Sequence, residues 1–274
     1  MTTTRIAHIS DPHIVERGDR LGGIVDTATN LRAAVHHINA MQAPVDAVLV
    51  TGDLTNDGRA DQYDHLVELM APLDAPWHAI LGNHDEDDDA GAALGEHLVR
   101  GGPRPGSGVL DIGEVTVLAL SSARYPESAG SLDAGDLEWA DGILGRLDGL
   151  DGPGATSRPT LVALHHPPMA VGLRAMDTMR LDDESSKRLA EVVEQHHVDA
   201  VICGHLHRMT MTPYAGTIAI SAPSIAFSVA FDLSDAAPLA GSFEPTSMLV
   251  HLVADGTLTT HLSIIGDFPT RSLA

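Results

Sequence analysis

Seven side chains of the types that bind metal ions stand in short motifs along this sequence, each motif directly after an apolar run. They are Asp11 and His13 of Asp-Pro-His, Asp53 of Gly-Asp, Asn83 of Gly-Asn-His-Asp, His165 of His-His-Pro-Pro, and His205 and His207 of Gly-His-Leu-His. Carboxylate, amide and imidazole ligands together suit Mn, Fe, Co or Zn better than the all-oxygen sites of Mg or Ca. Because no thiolate accompanies them, a structural zinc cluster is a poor fit. The motifs therefore predict one dinuclear metal site.

Two of these motifs have a spacing that lets both side chains reach one ion. In an extended segment, residues two apart point to the same side of the backbone. The rule brings Asp11 next to His13, and His205 next to His207. Gly204, directly before the second pair, leaves room for a close approach by neighbouring groups.

Strands and helices alternate along the segments that must position these motifs. We predict strands at 5–10, 46–51, 77–81, 115–121, 160–164 and 198–203, and helices at 27–41, 60–70, 87–100, 134–147 and 183–196. Short apolar strands alternating with helices indicate an α/β protein whose sheets are covered on their outer faces. Since the carboxyl ends of parallel strands gather at one edge, the motifs are expected to converge there.

The tail of the chain has a different pattern. Four further strand candidates follow one another without helices, at 208–214, 217–221, 247–253 and 257–264, and they predict a mixed or antiparallel sheet. Residues 101–108 and 149–159 are predicted loops, rich in Gly and Pro. The segment 236–245 fits either a flexible loop or an oligomer-contact arm. We expect one domain over residues 1–274, whose β-rich portion from about 208 to 274 carries an oligomer-contact or cap segment.

Composition excludes several classes of function. The formal net charge of −22 leaves no basic surface for long nucleic acid. No apolar run approaches the roughly 18 residues of a membrane span, and no secretory signal is recognisable, so a membrane partner is not expected. The single cysteine, Cys203, excludes an intrachain disulfide framework. It also suits a reducing cytoplasm, which we expect as the location.

The ordered motifs resemble the calcineurin-like metallophosphoesterase superfamily, and the resemblance extends from residue 5 to about 265. The spacing is most similar to bacterial class III cyclic-nucleotide phosphodiesterases and related glycerophosphodiesterases. The resemblance implies a four-layer αββα sandwich of two mixed β-sheets flanked by helices. Oligomerisation, as a dimer or higher, is likewise implied only by the relatives.

The resemblance also implies a role for each motif residue. Three residues would hold the first ion and three the second, with Asp53 bridging the pair: Asp11, His13 and His207, then Asn83, His165 and His205. Asn83 and His84 would contact the substrate, and His84 would stabilise or protonate the leaving oxygen. His166 would pack beside the site. Asp85 would either orient His84 or favour the start of the next helix.

The function implied is hydrolysis of a small phosphodiester, either a cyclic nucleotide such as cyclic AMP or a glycerophosphodiester. Two metal ions about 3.5–4 Å apart lower the pKa of water, so that hydroxide can attack phosphorus near neutral pH. A broad phosphomonoesterase or nucleotidase on the same centre is the main alternative. A non-catalytic protein-interaction scaffold is a remote one, since it predicts missing ligands. Loops at 14–26, 123–131, 169–182 and 221–232 are expected to form the pocket walls and set specificity.

Overall fold

Short apolar strands form two mixed β-sheets in the computed structural model of the chain, which describes residues 3–150 and 158–272. The strands are β1 (Thr3–Ile9), β2 (Ala47–Thr51), β3 (Trp77–Ile80), β4 (Gly108–Ile112), β5 (Val115–Leu120), β6 (Thr160–Leu164), β7 (Ala200–Cys203), β8 (Thr210–Tyr214), β9 (Thr217–Ser221), β10 (Ser228–Val229), β11 (Gly241–Ser242), β12 (Ser247–Ala254) and β13 (Thr257–Ile264). The helices are α1 (Thr27–Asn39), α2 (Ala60–Met70), α3 (Asp87–Leu94), α4 (Ala134–Leu150), α5 (Arg174–Asp177) and α6 (Asp183–Gln195).

The first sheet has five strands in the order β13-β12-β1-β2-β3. Strands β1, β2 and β3 run parallel, while β12 pairs antiparallel with both β1 and β13. Strand β2 is buried along its whole length, as its continuous apolar run Ala-Val-Leu-Val predicts. The carboxyl ends of β1, β2 and β3 therefore lie side by side at one edge.

The second sheet has six strands in the order β4-β5-β6-β7-β9-β8. Strands β5, β6, β7 and β9 run parallel, and the edge strands β4 and β8 are antiparallel to their neighbours. The carboxyl ends of β6 and β7 are adjacent. His165 follows β6, and His205 and His207 follow β7, as the sequence predicts.

The two sheets pack face to face, and helices cover their outer sides. Ile6, Leu49, Val117 and Leu161 belong to the apolar core between the sheets. A second core joins the first sheet to α1, α2 and α3, and a third joins the other sheet to α4 and α6. The predicted αββα sandwich is confirmed. Within the described ranges, none of the helices combines the length and the apolar character needed to cross a membrane.

The predicted helix at 87–100 is wrong in its second half. Helix α3 stops at Leu94, because Gly95 adopts a positive φ of 55° that breaks the helical path. A short 3₁₀ turn follows, and then the amide of Val99 donates a hydrogen bond to the carbonyl of Ala79, 2.9 Å away. Leu98 and Val99 are thereby extended against β3. The contact with β3 therefore overrides the helical propensity of residues 95–100.

Two loop predictions also need correction. Residue 108 begins β4, which pairs in register with β5 across a turn at Gly113. Of the predicted loop 149–159, the first two residues belong to α4, and residues 151–157 lie outside the described part of the chain. The tail strands do form antiparallel pairs, but they divide between the two sheets, β8 and β9 in one and β12 and β13 in the other.

Candidate metal centre

All seven predicted ligand side chains meet at the edge where five parallel strands end. Strands β1, β2 and β3 lead into Asp11, Asp53 and Asn83, and strands β6 and β7 lead into His165 and His205. The site therefore lies across the top of both sheets. All but the half-buried Asn83 are buried.

The first group of donors consists of Asp11, His13, Asp53 and His207, whose candidate ligand atoms all lie within 4.8 Å of one another. The Nε2 atoms of His13 and His207 are 3.1 Å apart. The Nε2 of His207 is 3.4 Å from Asp11 Oδ1. The Nε2 of His13 is 3.5 Å from Asp53 Oδ2. Lone-pair atoms converging at these distances fit a cation between them.

The second group surrounds the Nε2 atom of His165. Asn83 Oδ1 lies 3.1 Å from it, and His205 Nδ1 lies 3.2 Å from it. Asp53 Oδ1 lies 3.4 Å away. Asp53 thus turns one carboxylate oxygen to each group, which is the arrangement required of a bridging ligand.

Burial and mutual charge set the protonation of the first group. Burial alone would raise the pKa of Asp11, but His207 and its hydrogen bond outweigh burial and lower this pKa to about 2. For Asp53, the raising effect of burial is outweighed by His165, and its pKa lies well below the usual range. Burial lowers the pKa of His13 to about 3. At neutral pH the carboxylates are ionised and His13 keeps a free lone pair.

The two imidazoles of the second group have pKa values shifted in opposite directions. Burial, with the nearby His165, lowers the pKa of His205 to about 3. For His165 itself, the lowering effect of burial is outweighed by Asp53, and the pKa rises to about 9. A cation placed between these groups would take over the position of that proton, because metal ligands must be deprotonated.

Hydrogen bonds to backbone carbonyls orient two of the imidazoles. His165 Nδ1 lies 2.7 Å from the carbonyl oxygen of Thr51. His207 Nδ1 lies 2.9 Å from the carbonyl oxygen of Phe227. In each ring the Nδ1–H donates to the carbonyl, so Nε2 is the atom that would bind an ion. Second contacts of this kind fix the tautomer of metal-binding histidines.

The backbone at the site is held in an uncommon conformation. Asp11, His13, Asp53, His205 and His207 all have positive φ angles, between 43° and 67°. Non-glycine residues seldom adopt this region, and such conformations persist only where the surroundings enforce them. The concentration of strained residues at one point marks it as functional.

Close backbone approach explains two of the motif glycines. A Cβ on Gly204 would collide with Ser10 Oγ and would meet Asp11 Oδ2 at 2.9 Å. A Cβ on Gly82 would collide with the amide nitrogen and carboxylate of Asp53. Neither glycine is needed for a positive φ; each is needed for space.

His166 packs behind the centre. Its Nδ1 is 2.9 Å from Ser122 Oγ, and its ring lies edge-on to His165 at 4.8 Å between centroids. A ring nitrogen of His166 also lies within 4.8 Å of the ligand atoms of His165 and His205. Asn83 Oδ1, however, lies 3.1 Å from His165 Nε2. By this distance Asn83 fits the second donor group, while the buried Nε2 of His166 has no hydrogen-bond partner among the described residues.

Asp85 takes neither of the roles considered for it from the sequence. It is fully buried and accepts hydrogen bonds from the amides of Gly82, Leu54 and Thr55, at 2.9, 3.0 and 3.2 Å. Helix α3 is capped instead by Glu86, which accepts from the amide of Asp89. Burial and the neighbouring Asp53 raise the pKa of Asp85 to about 6. Asp85 ties together the two loops that carry Asp53 and Asn83.

His84 stands at the rim of the centre without belonging to either donor group. Its Nδ1 lies 2.6 Å from the carbonyl oxygen of Asn56, and its amide donates to Asp53 Oδ1 at 2.9 Å. With Nδ1–H donated to Asn56, the remaining Nε2 is the atom available to a ligand.

A cavity of about 510 Å³ opens over the centre. The four predicted wall segments all contribute, through Leu21, Ser128, Met176 and Phe227 among others. Sequence reasoning missed a fifth segment, residues 239–241, which follows no strand end and carries no motif. Of the described residues that line the cavity, Asp53 is the one carboxylate, and none is Lys or Arg.

Comparison with known proteins agrees with this geometry. Residues 4–209 match the family described as calcineurin-like phosphoesterase. A relative from Arcobacter nitrofigilis, named "Probable glycerophosphodiester phosphodiesterase", is 30% identical over 96% of this chain and 94% of its own length. A relative from Rhodopseudomonas palustris, named "Probable cyclic nucleotide phosphodiesterase", is 32% identical over 97% of this chain and 94% of its own. Purple acid phosphatase from yellow lupin seeds has the same fold, with a TM-score of 0.66 at 14% identity; the alignment covers all of this chain and 57% of that one.

Proposed function

Since the chain belongs to the calcineurin-like phosphoesterase family, we propose that it is a dinuclear-metal phosphodiesterase acting on small phosphodiesters, such as a cyclic nucleotide or a glycerophosphodiester. One observation carries the proposal. The two oxygens of the Asp53 carboxylate face different donor groups, at 3.5 Å from His13 Nε2 and 3.4 Å from His165 Nε2. One shared carboxylate between two groups of donors is what a two-ion centre needs.

We assign the ligands accordingly. Asp11, His13 and His207 would hold one ion, Asn83, His165 and His205 the other, and Asp53 both. When bound, the two ions supply Lewis-acid stabilisation of the phosphoryl charge and lower the pKa of water. They also offset the charges of Asp11 and Asp53, which would otherwise repel a phosphodiester anion in a chain of net charge −22.

In this proposal His84 acts on the leaving group. The Asn56 carbonyl holds the proton on Nδ1, so the imidazolium form of the ring presents an Nε2–H to the cavity. That group can donate a hydrogen bond to the departing ester oxygen and then its proton. The aromatic edge contact with His13, 4.7 Å between centroids, limits how the ring can turn.

The cavity lining favours a diester over a monoester. A monoester carries a second negative charge on the phosphoryl group, and arginine or lysine side chains would stabilise it. No Lys or Arg side chain lines the described part of the cavity. Leu21, Met176 and Phe227 instead offer apolar contacts to a second ester group.

A substrate panel tests this proposal. Catalytic efficiency should be compared for cyclic AMP, a glycerophosphodiester, an aryl phosphodiester and the matching aryl phosphomonoester, in metal-replete protein. We expect at least one of the diesters to exceed the monoester. A preference for the monoester would contradict the proposal and favour a phosphomonoesterase or nucleotidase on the same centre.

A further inference from the structure

Phenylalanine is scarce in this chain and unevenly placed. There are four, and three of them, Phe227, Phe231 and Phe243, lie within one segment of 17 residues. Phe231 and Phe243 are each 68% exposed. We call residues 227–243 the arm.

The arm folds back on itself beside the metal centre. Strand β10 pairs antiparallel with β11, and the amide of Ala230 donates to the carbonyl of Ala240 at 2.7 Å. At one end, the ring of Phe227 contacts the His207 ring at 4.4 Å between centroids. Further out, Leu239 lines the cavity mouth and is itself largely exposed. The apolar lining of the cavity therefore continues onto the outside of the arm.

Several apolar side chains of the arm are exposed, and the Arg208 guanidinium lies 5.4 Å from the centroid of one of them, the Phe231 ring. Phe231, Leu233, Leu239 and Phe243 are all more than half exposed. Ile24 is also exposed, and it closely follows the lining residues Leu21 and Gly22 in the chain. Contiguous exposed apolar side chains at a cavity mouth usually mark a ligand groove or an interface.

The small number of polar side chains in the cavity limits which ester groups of a phosphodiester can bind there. Beyond the metal-binding side chains and His84, the polar side chains of the described lining are Asn56 and Ser128. Beside one polar ester group, such as glycerol, a second charged or polyol group would lose water there without gaining partners, which is unfavourable. An alkyl group would be stabilised along the whole path from Phe227 to Leu239.

We propose that, of the phosphodiesters considered above, the substrate is a noncyclic and amphipathic one, in which one ester group is an alkyl chain that lies along the arm. The inference rests on the proposed function, since it places the phosphodiester at the metal centre. The hydrolytic step is unchanged: water adds to phosphorus, one P–O ester bond breaks, and the departing oxygen takes a proton.

A series of p-nitrophenyl alkyl phosphates tests the inference, with methyl, butyl, hexyl and octyl esters used below their aggregation concentration. The leaving group is constant, so kcat/KM reports the alkyl contact. We expect an increase of up to about fourfold per added methylene while the chain still reaches new arm surface. Leu239→Asn and Phe243→Ser should flatten this dependence. Phe268→Ser, at a residue 61% exposed in the C-terminal segment, is the matched control and should keep it.

The outcomes are separable. No hydrolysis of any diester would contradict the proposed function itself. Hydrolysis with no increase along the series would overturn the inference alone. The association state of each variant should be measured by light scattering. If Leu239→Asn and Phe243→Ser change that state but leave the chain-length dependence intact, the arm binds a second copy of the chain and the inference is wrong.

Discussion

At the scale of single residues, the site depends on the candidate ligands and also on the hydrogen bonds that hold those ligands in place. Asp53 faces both donor groups, and the buried Asp85 ties the loop that carries Asp53 to the loop of Asn83. The residue types and spacing of the ligands could be read from the sequence. The role of Asp85 could not, because its partners Leu54 and Thr55 are 30 or more residues away in the chain.

Replacing His84 should slow catalysis without changing metal binding. We predict that His84→Ala lowers kcat by about 10²- to 10⁴-fold, the usual contribution of a general acid. The metal content of the variant should match that of the wild type, because His84 lies outside both donor groups. Steady-state kinetics and elemental analysis measure the two effects, with the exposed His261→Ala as control. Hydrolysis of diesters at the original rate would refute the role assigned to His84.

Adding one methyl group at Gly204 should disrupt the centre. In Gly204→Ala the new Cβ would collide with Ser10 Oγ and crowd Asp11 Oδ2, so His205 and Asp11 must move apart. Overpacking of this kind costs about 1–3 kcal/mol. We predict a lower melting temperature and reduced metal binding. Gly135→Ala, in helix α4 with open space around its Cβ position, is the control. Unchanged metal affinity in Gly204→Ala would show that the close approach is dispensable.

At the scale of elements, hydrophobic patterning predicted most strands and helices, and pairing explains the failures. The strand at 160–164 and the helix at 60–70 were predicted with their observed bounds. Strand β4 has only five residues with alternating exposure, and it is stabilised by pairing with β5 rather than by its own propensity. The partner of His8 could not be predicted from the sequence for the same reason. Its Nδ1 lies 3.0 Å from the Nε2 of His251, which is 243 residues away in the chain.

One ion-pair contact between elements gives a pH dependence. His196, at the end of α6, lies 2.7 Å from Asp148 and 2.9 Å from Asp141 of α4. Burial is the largest single effect and lowers its pKa, but these two carboxylates together outweigh burial and raise it. The stabilisation is therefore complete below the pKa of the unfolded chain, and it is lost as pH rises through the folded value.

We predict that His196→Gln lowers the melting temperature more at pH 6 than at pH 9. Thermal unfolding of wild type and variant at both pH values measures the difference. His261→Gln, at an exposed position on β13, serves as the control. An equal loss at the two pH values would mean that the charge on His196 does not hold the helices together.

At the scale of the whole molecule, the position of the site follows from the way the two sheets meet. Three ligand-bearing strands belong to one sheet and two to the other, and the core between the sheets fixes their relative position. We propose that the chain is a single domain for this reason. The sequence predicted the sandwich only through its motifs, because patterning does not say which strands share a sheet. It also could not place residues 239–241 at the cavity, since they carry no motif.

The strongly negative charge of the chain is consistent with a metal-dependent site. A chain of net charge −22 repels phosphodiesters at long range, so substrate binding as well as chemistry should depend on the bound ions. Metal stoichiometry is therefore the most direct measurement of a two-ion centre bridged by Asp53. Metal-free protein should be titrated with Mn²⁺ or Zn²⁺, and the bound ions counted after the excess is removed. We predict two ions per chain in the wild type and loss of both sites in Asp53→Ala. One ion or none in the wild type, or two ions still bound by Asp53→Ala, would contradict a centre bridged by Asp53.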